Sequence, residues 1–202
     1  MELVKFCELR FLTVGGRVMT PRPASEKIVA EAVALIGDRP ARVVDVGTGS
    51  GAIALAVAAA LPKIQVFATD TSIDAVALAR MNAARLGLSG RVTVCRGDLL
   101  EPIRGPVDLI VANLPYLPAA EARRRPDLVD EPPDAIFAGG DGLEPYRRLI
   151  AASRQRLSRG GALVLQLHRE VLTASRGDLD TLAAAVAGST PSEPLAARPI
   201  AA

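Results

Sequence analysis

The stretch ARVVDVGTGSGAIALAVAAALP, residues 41–62, decides the fold of this protein. It starts as an apolar run rich in β-branched residues, passes through a glycine-rich turn, and continues as an apolar helix that Pro62 ends. A run that is apolar throughout, rather than at alternate positions, predicts a strand covered on both faces. A strand that leads through a tight turn into a helix is the building unit of a parallel α/β sheet.

The same alternation continues toward the C-terminus. Further strands are predicted at 64–70, 91–98, 107–113 and 160–167, with helices at 72–87 and 142–157. Right-handed connections between such units give a Rossmann-like, doubly wound and mainly parallel sheet. We therefore predict an α/β fold in which ligands bind at the carboxyl ends of the strands.

The N-terminal residues predict a separate element. The stretch VKFCELRFLTV (4–14) is rich in strand formers, and Gly15-Gly16 supplies a turn, so we predict an N-terminal β-hairpin. A helix follows at 21–37, with Ser25 as its N-cap and Gly37 as its end.

The C-terminal residues predict a helix and then a tail. No strand is recognisable after His168, so either an unusual C-terminal segment covers the sheet edge or the sheet is shortened and leaves that edge exposed. A helical stretch is followed by a segment of Ala, Pro and Ser that we expect to be flexible. The predicted domains are a hairpin linker at 1–20, one α/β domain at 21–187 and the tail at 188–202.

The composition excludes several functions. The formal charge of +2 lacks the strong basic excess of a dedicated nucleic-acid-binding protein. Cys7 and Cys95 lack metal-ligand spacing and predict free thiols in a reducing, cytoplasmic environment. The longest apolar run, 52–61, is too short to cross a membrane. Because His168 is the only histidine, a metal site built on imidazoles is excluded, and we predict no metal.

Candidate ligand-binding residues lie where the first strand of the sheet ends. The glycine loop (residues 47–51) has the sequence Gly47-Thr48-Gly49-Ser50-Gly51. Glycines at this spacing fit a tight turn where a ligand approaches the backbone closely. The alternative is a purely structural turn, because short glycine motifs occur without a ligand.

Three aspartates accompany the glycine loop. Asp45 would repel a pyrophosphate but would suit a ligand with an amino group or a sulfonium. Asp70 can accept hydrogen bonds from both ribose hydroxyls, or it is only an acid at a helix N-terminus. Asp98 can accept from an adenine amino group while Leu99 packs on the ring, or it forms an Asx-turn. Together the glycine loop, the three aspartates and Leu99 predict S-adenosylmethionine as the cofactor.

The strand at 107–113 ends in Asn113-Leu114-Pro115-Tyr116. An amide or a ring amine is a poor nucleophile, because its lone pair is delocalised. Acceptors that bind its NH2 group can hold the nitrogen toward a methyl group and stabilise developing positive charge. The Asn113 side-chain oxygen and the Leu114 or Pro115 carbonyl can do this, and Tyr116 can stack on the acceptor. The alternative is a proline-terminated strand with a core tyrosine.

These residues resemble those of class I S-adenosylmethionine-dependent methyltransferases of the N-P-P-Y group. The wider pattern is similar to the HemK/PrmC family of protein-(glutamine-N5) methyltransferases. Three further stretches carry the resemblance: KFCELRFLTVGGRVMTPRPASE (5–26), EPPDAIFAGGDGLEPYRRLI (131–150) and GGALVLQL (160–167). Their joint occurrence is more specific than any single motif.

The resemblance implies which residues carry the activity. The glycine loop, Asp70, Leu99 and Asn113 would contact the cofactor, with Asp98 beside the adenine. Asn113, Leu114, Pro115 and Tyr116 would bind a glutamine amide of a peptide-chain release factor, and Asn113, Pro115 and Tyr116 would be catalytic.

The chain departs from the family pattern at three residues and in two segments. Leu114 stands where the family has proline, while Ala24 and Gln166 each stand where the family has an acid. The family's helical N-terminal domain and its last two strands are not recognisable.

The leading prediction is therefore methylation of a protein glutamine, with a release factor as the partner. The second is an adenine-N6 methyltransferase, because N-L-P-Y is similar to the rRNA adenine-N6 dimethyltransferases and Arg123-Arg124-Arg125 can contact phosphates. The third is a relative that binds S-adenosylmethionine without turnover, suggested by the unrecognised C-terminal strands. Near-neutral charge and the 138–149 segment favour a protein substrate over nucleic acid.

Overall fold

The computed structural model describes residues 1–124, 128, 130–167 and 170–187. The strands are β1 (Glu2–Phe6), β2 (Leu9–Thr13), β3 (Ala41–Val46), β4 (Ile64–Asp70), β5 (Val92–Arg96), β6 (Val107–Ala112), β7 (Leu117–Pro118), β8 (Phe137–Ala138), β9 (Leu157–Leu167) and β10 (Glu170–Ser175). The α-helices are α1 (Glu26–Ile36), α2 (Ala52–Ala60), α3 (Ile73–Arg85), α4 (Pro133–Ile136), α5 (Glu144–Arg156) and α6 (Leu179–Ala187). Short 3-10 turns lie at Pro23–Ser25, Ala119–Arg124 and Arg176–Asp178.

A six-stranded sheet forms the centre of the molecule. Its strand order is β10-β9-β6-β3-β4-β5, and every pair is parallel except β10 with β9. The order reverses beside β3, because β4 lies on one side of it and β6 on the other. The predicted doubly wound, mainly parallel sheet is confirmed, and this reversal is where such sheets bind ligands.

Helices cover both faces of the sheet. One apolar cluster joins α1, α2 and α3 to strand residues such as Val43, Val66 and Val111. The other joins α5 and α6 to the residues that alternate with these, such as Val44 and Ile110. Burial on both faces explains why the strands are apolar throughout rather than at alternate positions.

The N-terminal hairpin is present, but its turn is not where the sequence predicted it. Strands β1 and β2 pair from Glu2 with Thr13 to Phe6 with Leu9, so the turn is at Cys7-Glu8. Both turn residues have positive φ, 46° and 61°, as the two-residue turns of tightly twisted hairpins require. Gly15 and Gly16 follow the hairpin instead of closing it.

The C-terminal edge also differs from the prediction. Strand β10 pairs antiparallel with β9, from Glu170 with Leu167 to Ser175 with Ala162. The sequence did not reveal this strand, and of the two alternatives, a covered edge or a shortened sheet, the structure shows the β9 edge covered. The sequence EVLTAS lacks a clear alternation, and its pairing depends on the neighbouring strand. His168 and the predicted tail at 188–202 lie outside the described residues.

Two more features of the fold bear on earlier expectations. In the described part of the chain, no helix has the length and apolar character needed to cross a membrane. The division at residues 20 and 187 into linker, domain and tail stays a prediction.

Candidate active site

The glycine loop turns the chain sharply from β3 into α2. Gly47, Gly49 and Gly51 have φ of 71°, 56° and 83°, a region that side chains with a Cβ rarely adopt. The backbone N–H of Gly47 donates to the Thr69 carbonyl at 2.9 Å, which ties the loop to the end of β4. A Cβ at position 51 would lie 3.2 Å from the Ala79 Cβ, so Gly51 allows α2 and α3 to pack closely.

A cavity of about 550 Å³ opens at this edge of the sheet, and we call it the glycine-loop cavity. Its lining includes six of the predicted cofactor-binding residues: Gly47, Gly49, Asp70, Asp98, Leu99 and Asn113. Leu114 and Pro115 also line it. The volume is in the range of roughly 300–1,000 Å³ that small-molecule sites occupy.

Three residues of the glycine loop do not line this cavity. Thr48 and Ser50 are buried, and Gly51 faces α3. The Thr48 hydroxyl donates to Asp45, and the Ser50 carbonyl accepts from the Asn82 side chain at 2.9 Å. These three residues belong to the motif because they shape the turn.

Asp70 stands at the mouth of the loop and holds two backbone groups. Its Oδ2 accepts from the Gly49 N–H and its Oδ1 from the Ser72 N–H, both at 2.9 Å. Burial raises the pKa of this carboxyl, while the backbone hydrogen bonds oppose the rise. A carboxylate has about four acceptor sites, so Asp70 can accept further hydrogen bonds from a ligand in the cavity that it lines.

Asp45 has a different position from the one that the sequence predicted. It is only 1% exposed and lies beneath the loop, outside the cavity lining. Its Oδ2 accepts from the Thr48 hydroxyl at 2.6 Å and from the Ala54 N–H at 3.0 Å. Burial raises its pKa to about 6. In this structure the Asp45 hydrogen bonds fix the positions of Thr48 and Ala54 beneath the loop.

Asp98 and Leu99 form the far side of the glycine-loop cavity. The Asp98 carboxylate accepts a hydrogen bond from the Arg148 guanidinium, so a ligand that uses Asp98 competes with α5. Leu99 has φ of 45°, and its carbonyl accepts from the Thr69 hydroxyl at 2.8 Å. This bond fixes the strained turn and directs the leucine toward the cavity.

A second cavity of about 350 Å³ adjoins the first, and we call it the Tyr116 cavity. The N-L-P-Y loop (residues 113–116) forms the wall between them, since Asn113, Leu114 and Pro115 line both. Tyr116 lines only the second cavity. The predicted acceptor residues therefore stand between two spaces that meet at Asn113.

Asn113 is oriented by a residue that the sequence did not single out for this role. Its Nδ2 donates to the Ser25 hydroxyl at 3.0 Å, so the Oδ1 remains available toward the cavities. Ser25 is 4% exposed and makes no side-chain cap for α1, contrary to the prediction. The hydroxyl instead accepts the hydrogen bond from Asn113.

The backbone of the N-L-P-Y loop is anchored from below. The Tyr146 hydroxyl lies 2.7 Å from the Leu114 carbonyl and 2.6 Å from the Gln166 carbonyl. A phenol has a single proton, so it donates to only one of these carbonyls at a time. The Leu114 side chain is buried, and a Cβ at Gly47 would lie 2.7 Å from its Cδ2.

One side of the Tyr116 cavity is fixed by Glu131. This side chain accepts from the Arg22 guanidinium at 2.6 Å and from the Thr20 N–H at 3.1 Å. The bonds join the segment after the hairpin to the segment before α4. Gln166, on β9, also lines this cavity and is 3% exposed. Of the arginine run at 123–125, Arg125 lies outside the described residues and Arg124 is exposed.

Residues 27–143 match the model of a family described as the methyltransferase small domain. The chain is 45% identical over 159 residues to a release factor glutamine methyltransferase of Deinococcus radiodurans, covering 77% of this chain and 56% of that protein. It is 43% identical over 166 residues to the protein of the same name from Rhodopirellula baltica, again covering 77% and 56%. The chain thus spans about half the length of these relatives.

Among solved structures, the ribosomal protein L11 methylase of Lactobacillus delbrueckii subsp. bulgaricus superposes with a TM-score of 0.51 at 26% identity. The superposition covers 72% of this chain and 61% of that one. The fold predicted from the sequence is confirmed, and the names of both relatives agree with the family to which the motifs point.

Proposed function

Because this chain belongs to the methyltransferase small domain family, we propose that it is an S-adenosylmethionine-dependent N-methyltransferase whose acceptor is a glutamine amide of a peptide-chain release factor. The observation that carries the proposal is the position of Asn113 between two adjoining cavities. One cavity suits a nucleoside ligand, and the other brings an acceptor to the same asparagine. The names of the relatives supply the class of acceptor.

The residues of the glycine-loop cavity fit S-adenosylmethionine. When bound, this cofactor supplies a methyl group on a positively charged sulfonium. The backbone at Gly47 and Gly49 allows close approach of its amino-acid end, and the free lone pairs of Asp70 suit two ribose hydroxyls. Leu99 offers an apolar surface to the adenine. Asp98 can accept from the adenine amino group once Arg148 moves away.

The acceptor nitrogen is held by oxygens of the N-L-P-Y loop. Asn113 Oδ1 accepts one N–H of the amide, since its Nδ2 is held by Ser25. The Leu114 carbonyl has room for the second N–H, because the Tyr146 proton can go to the Gln166 carbonyl. These acceptors fix the nitrogen and stabilise the positive charge that develops on it. Pro115 stiffens the loop, and Tyr116 gives the planar amide a stacking surface.

The two other readings of the sequence have less support. The relatives are named for a glutamine acceptor, so the adenine acceptor is not favoured. The reading as a relative without turnover was suggested by missing C-terminal strands, and β10 covers the β9 edge. A cytoplasmic location stays a prediction.

Labelled methyl transfer tests the proposed function. The purified chain is incubated with methyl-labelled S-adenosylmethionine and a purified bacterial release factor. We expect label in the release factor, on one glutamine, and none after replacement of that glutamine. A parallel incubation with RNA tests the adenine acceptor. Cofactor binding without label in either substrate would contradict the proposal.

A further inference from the structure

The two glycines that line the glycine-loop cavity use their backbone N–H groups within the protein. The Gly47 N–H donates to the Thr69 carbonyl and the Gly49 N–H donates to Asp70, each at 2.9 Å. The amino-acid end of the proposed cofactor carries a carboxylate, which only accepts hydrogen bonds. A carboxylate that approaches these glycines therefore needs a donor from a side chain.

The charged side chains that line this cavity, in the part of the chain that the structure describes, are three acids and two arginines: Asp70, Asp98, Asp134, Arg17 and Arg148. The acids would repel a bound carboxylate unless a cation lies beside it. Arg148 donates to Asp98, on the side of the cavity assigned to the adenine. The cation that remains is Arg17.

Arg17 lies beside the glycine loop and is positioned by its neighbours. The adjacent Val18 is 3% exposed and packs with Ala75 of α3. Its Cγ1 would lie 3.8 Å from a Cβ at position 49, so the segment that carries Arg17 runs next to Gly49. The Arg17 N–H donates to the Val14 carbonyl at 3.3 Å, which fixes the backbone at this point.

The Arg17 guanidinium is held only weakly by the protein itself. Its side chain is 69% exposed, and its Nη1 lies 4.0 Å from the carboxylate of Asp74, which is 50% exposed. An exposed ion pair at this distance contributes little to stability. The guanidinium can therefore leave Asp74 for a stronger partner in the cavity.

We propose that Arg17 binds the carboxylate of the cofactor's amino-acid end, an inference that rests on the S-adenosylmethionine of the proposed function. A guanidinium presents parallel N–H donors that match the two oxygens of a carboxylate. The contact makes Arg17 a specificity-determining residue. Adenosine derivatives that lack the amino acid have no group for the guanidinium to bind.

Calorimetric titration with two ligands tests the contact without relying on methyl transfer. S-adenosylhomocysteine keeps the amino-acid end, whereas methylthioadenosine keeps the adenosine and the sulfur but lacks that end. We expect Arg17→Gln to weaken the binding of S-adenosylhomocysteine about tenfold, between the effects of a charged hydrogen bond and of an exposed ion pair. Binding of methylthioadenosine should change less than about twofold, because it never makes the contact.

Three further variants locate the effect. Arg17→Lys keeps the charge and should recover most of the lost affinity. Arg148→Gln should change the binding of both ligands by the same factor, because Arg148 lies at the adenine side that they share. Arg39→Gln is the matched control: Arg39 is 48% exposed and lies 3.6 Å from Asp108, away from the cavity lining, so neither affinity should change.

The salt dependence gives a second readout. A contact between charges that are open to solvent is screened by salt. The difference in S-adenosylhomocysteine affinity between the unmodified protein and Arg17→Gln should therefore shrink as the salt concentration rises from about 0.05 M to about 0.5 M. A difference that does not depend on salt would contradict a charge contact.

The outcomes separate this inference from the proposed function. If Arg17→Gln binds both ligands as the unmodified protein does, or weakens both by the same factor, Arg17 does not bind the carboxylate and the proposed function stands. If the unmodified protein binds neither S-adenosylmethionine nor S-adenosylhomocysteine, the proposed function fails and the Arg17 contact with it. If it binds the cofactor but labels no release factor, the proposed acceptor is wrong, and a loss confined to S-adenosylhomocysteine still supports the Arg17 contact.

Discussion

The two cavities that meet at Asn113 are built in different ways. Hydrogen bonds of the glycine loop span short to moderate distances in the chain: Thr48 to Asp45, three positions apart, Gly49 to Asp70, 21 apart, and Asn82 to Ser50, 32 apart. Two bonds at the Tyr116 cavity reach much further along the chain. Asn113 reaches Ser25 across 88 positions, and Arg22 reaches Glu131 across 109.

The two cavities therefore depend on different kinds of contact. The glycine-loop side is a strand, a turn and a helix whose shape follows from local backbone conformation. The Tyr116 side exists only once the hairpin segment, α1, β6 and β9 have come together. We therefore expect changes on the first side to affect cofactor binding and local stability, and changes on the second to affect transfer with little effect on cofactor affinity.

The largest expected effect is that of Asn113→Ala on methyl transfer. Removing the acceptor that stabilises charge on the nitrogen should lower the rate about 1,000-fold. The unfolding free energy should change by less than about 1 kcal/mol, because only the bond to Ser25 is lost. Labelled methyl transfer and urea unfolding measure the two quantities.

Asn82→Ala is the matched control, because Asn82 is a fully buried asparagine whose hydrogen bonds hold the fold together. It accepts from the Leu12 N–H and donates to the Leu12 and Ser50 carbonyls. Its loss should lower the unfolding free energy by about 3 kcal/mol, since it leaves buried backbone groups unpaired. Equal loss of stability in the two variants would show that Asn113 too is structural.

Asp45→Asn tests the interior of the glycine-loop side through pH. Burial raises the Asp45 pKa from 3.8 to about 6, so the unfolded chain releases this proton first as the pH rises. Asp45 therefore favours unfolding increasingly between about pH 4 and pH 6, by up to about 3 kcal/mol at 1.4 kcal/mol per pH unit. Asparagine keeps an acceptor for Thr48 and Ala54 but does not titrate.

Urea unfolding of both proteins across this pH range measures the effect. The stability of Asp45→Asn relative to the unmodified protein should rise between about pH 4 and pH 6 and then stay constant. A difference that does not vary with pH would mean that Asp45 titrates at its ordinary pKa.

Asp70→Ala should weaken cofactor binding without a comparable effect on the Tyr116 cavity. We expect a loss of about 1.5–3 kcal/mol in affinity, the scale of hydrogen bonds to a charged group. Calorimetric titration with S-adenosylmethionine measures it. Unchanged affinity would mean that Asp70 does not bind the ribose hydroxyls and only holds the Gly49 and Ser72 N–H groups.

The smallest effect expected is that of Ser25→Ala. Without the hydroxyl, the Asn113 amide can turn over, so the transfer rate should fall about fivefold to tenfold, as for loss of one hydrogen bond. Ser25→Thr keeps the hydroxyl and should restore most of the rate. If alanine and threonine give the same rate and cofactor affinity as serine, Ser25 does not orient Asn113.

The sequence was most informative where structure is local. The bounds of β3, α2 and β4 follow from continuous apolar runs, glycines and Pro62, and the Ser72 cap of α3 is in place, with its hydroxyl accepting from the Ala75 N–H at 3.3 Å. Predictions from the sequence were wrong where a residue type suits more than one local structure. Gly15-Gly16 favoured a turn that the chain makes at Cys7-Glu8, and Ser25 favoured a cap where it bonds Asn113.

The sequence by itself determined the doubly wound sheet and the edge at which such sheets bind ligands, because strand periodicity and turn residues act over short distances. The N-L-P-Y loop as the chemical centre stays a prediction. Only the tertiary structure decided that Asp45 lies beneath the loop and that β10 covers the sheet edge. It also brought Arg22, Ser25 and Gln166 to one cavity, with Arg22 held by Glu131. Such contacts join residues far apart in the chain, and no local pattern encodes which distant partner will fill a given space.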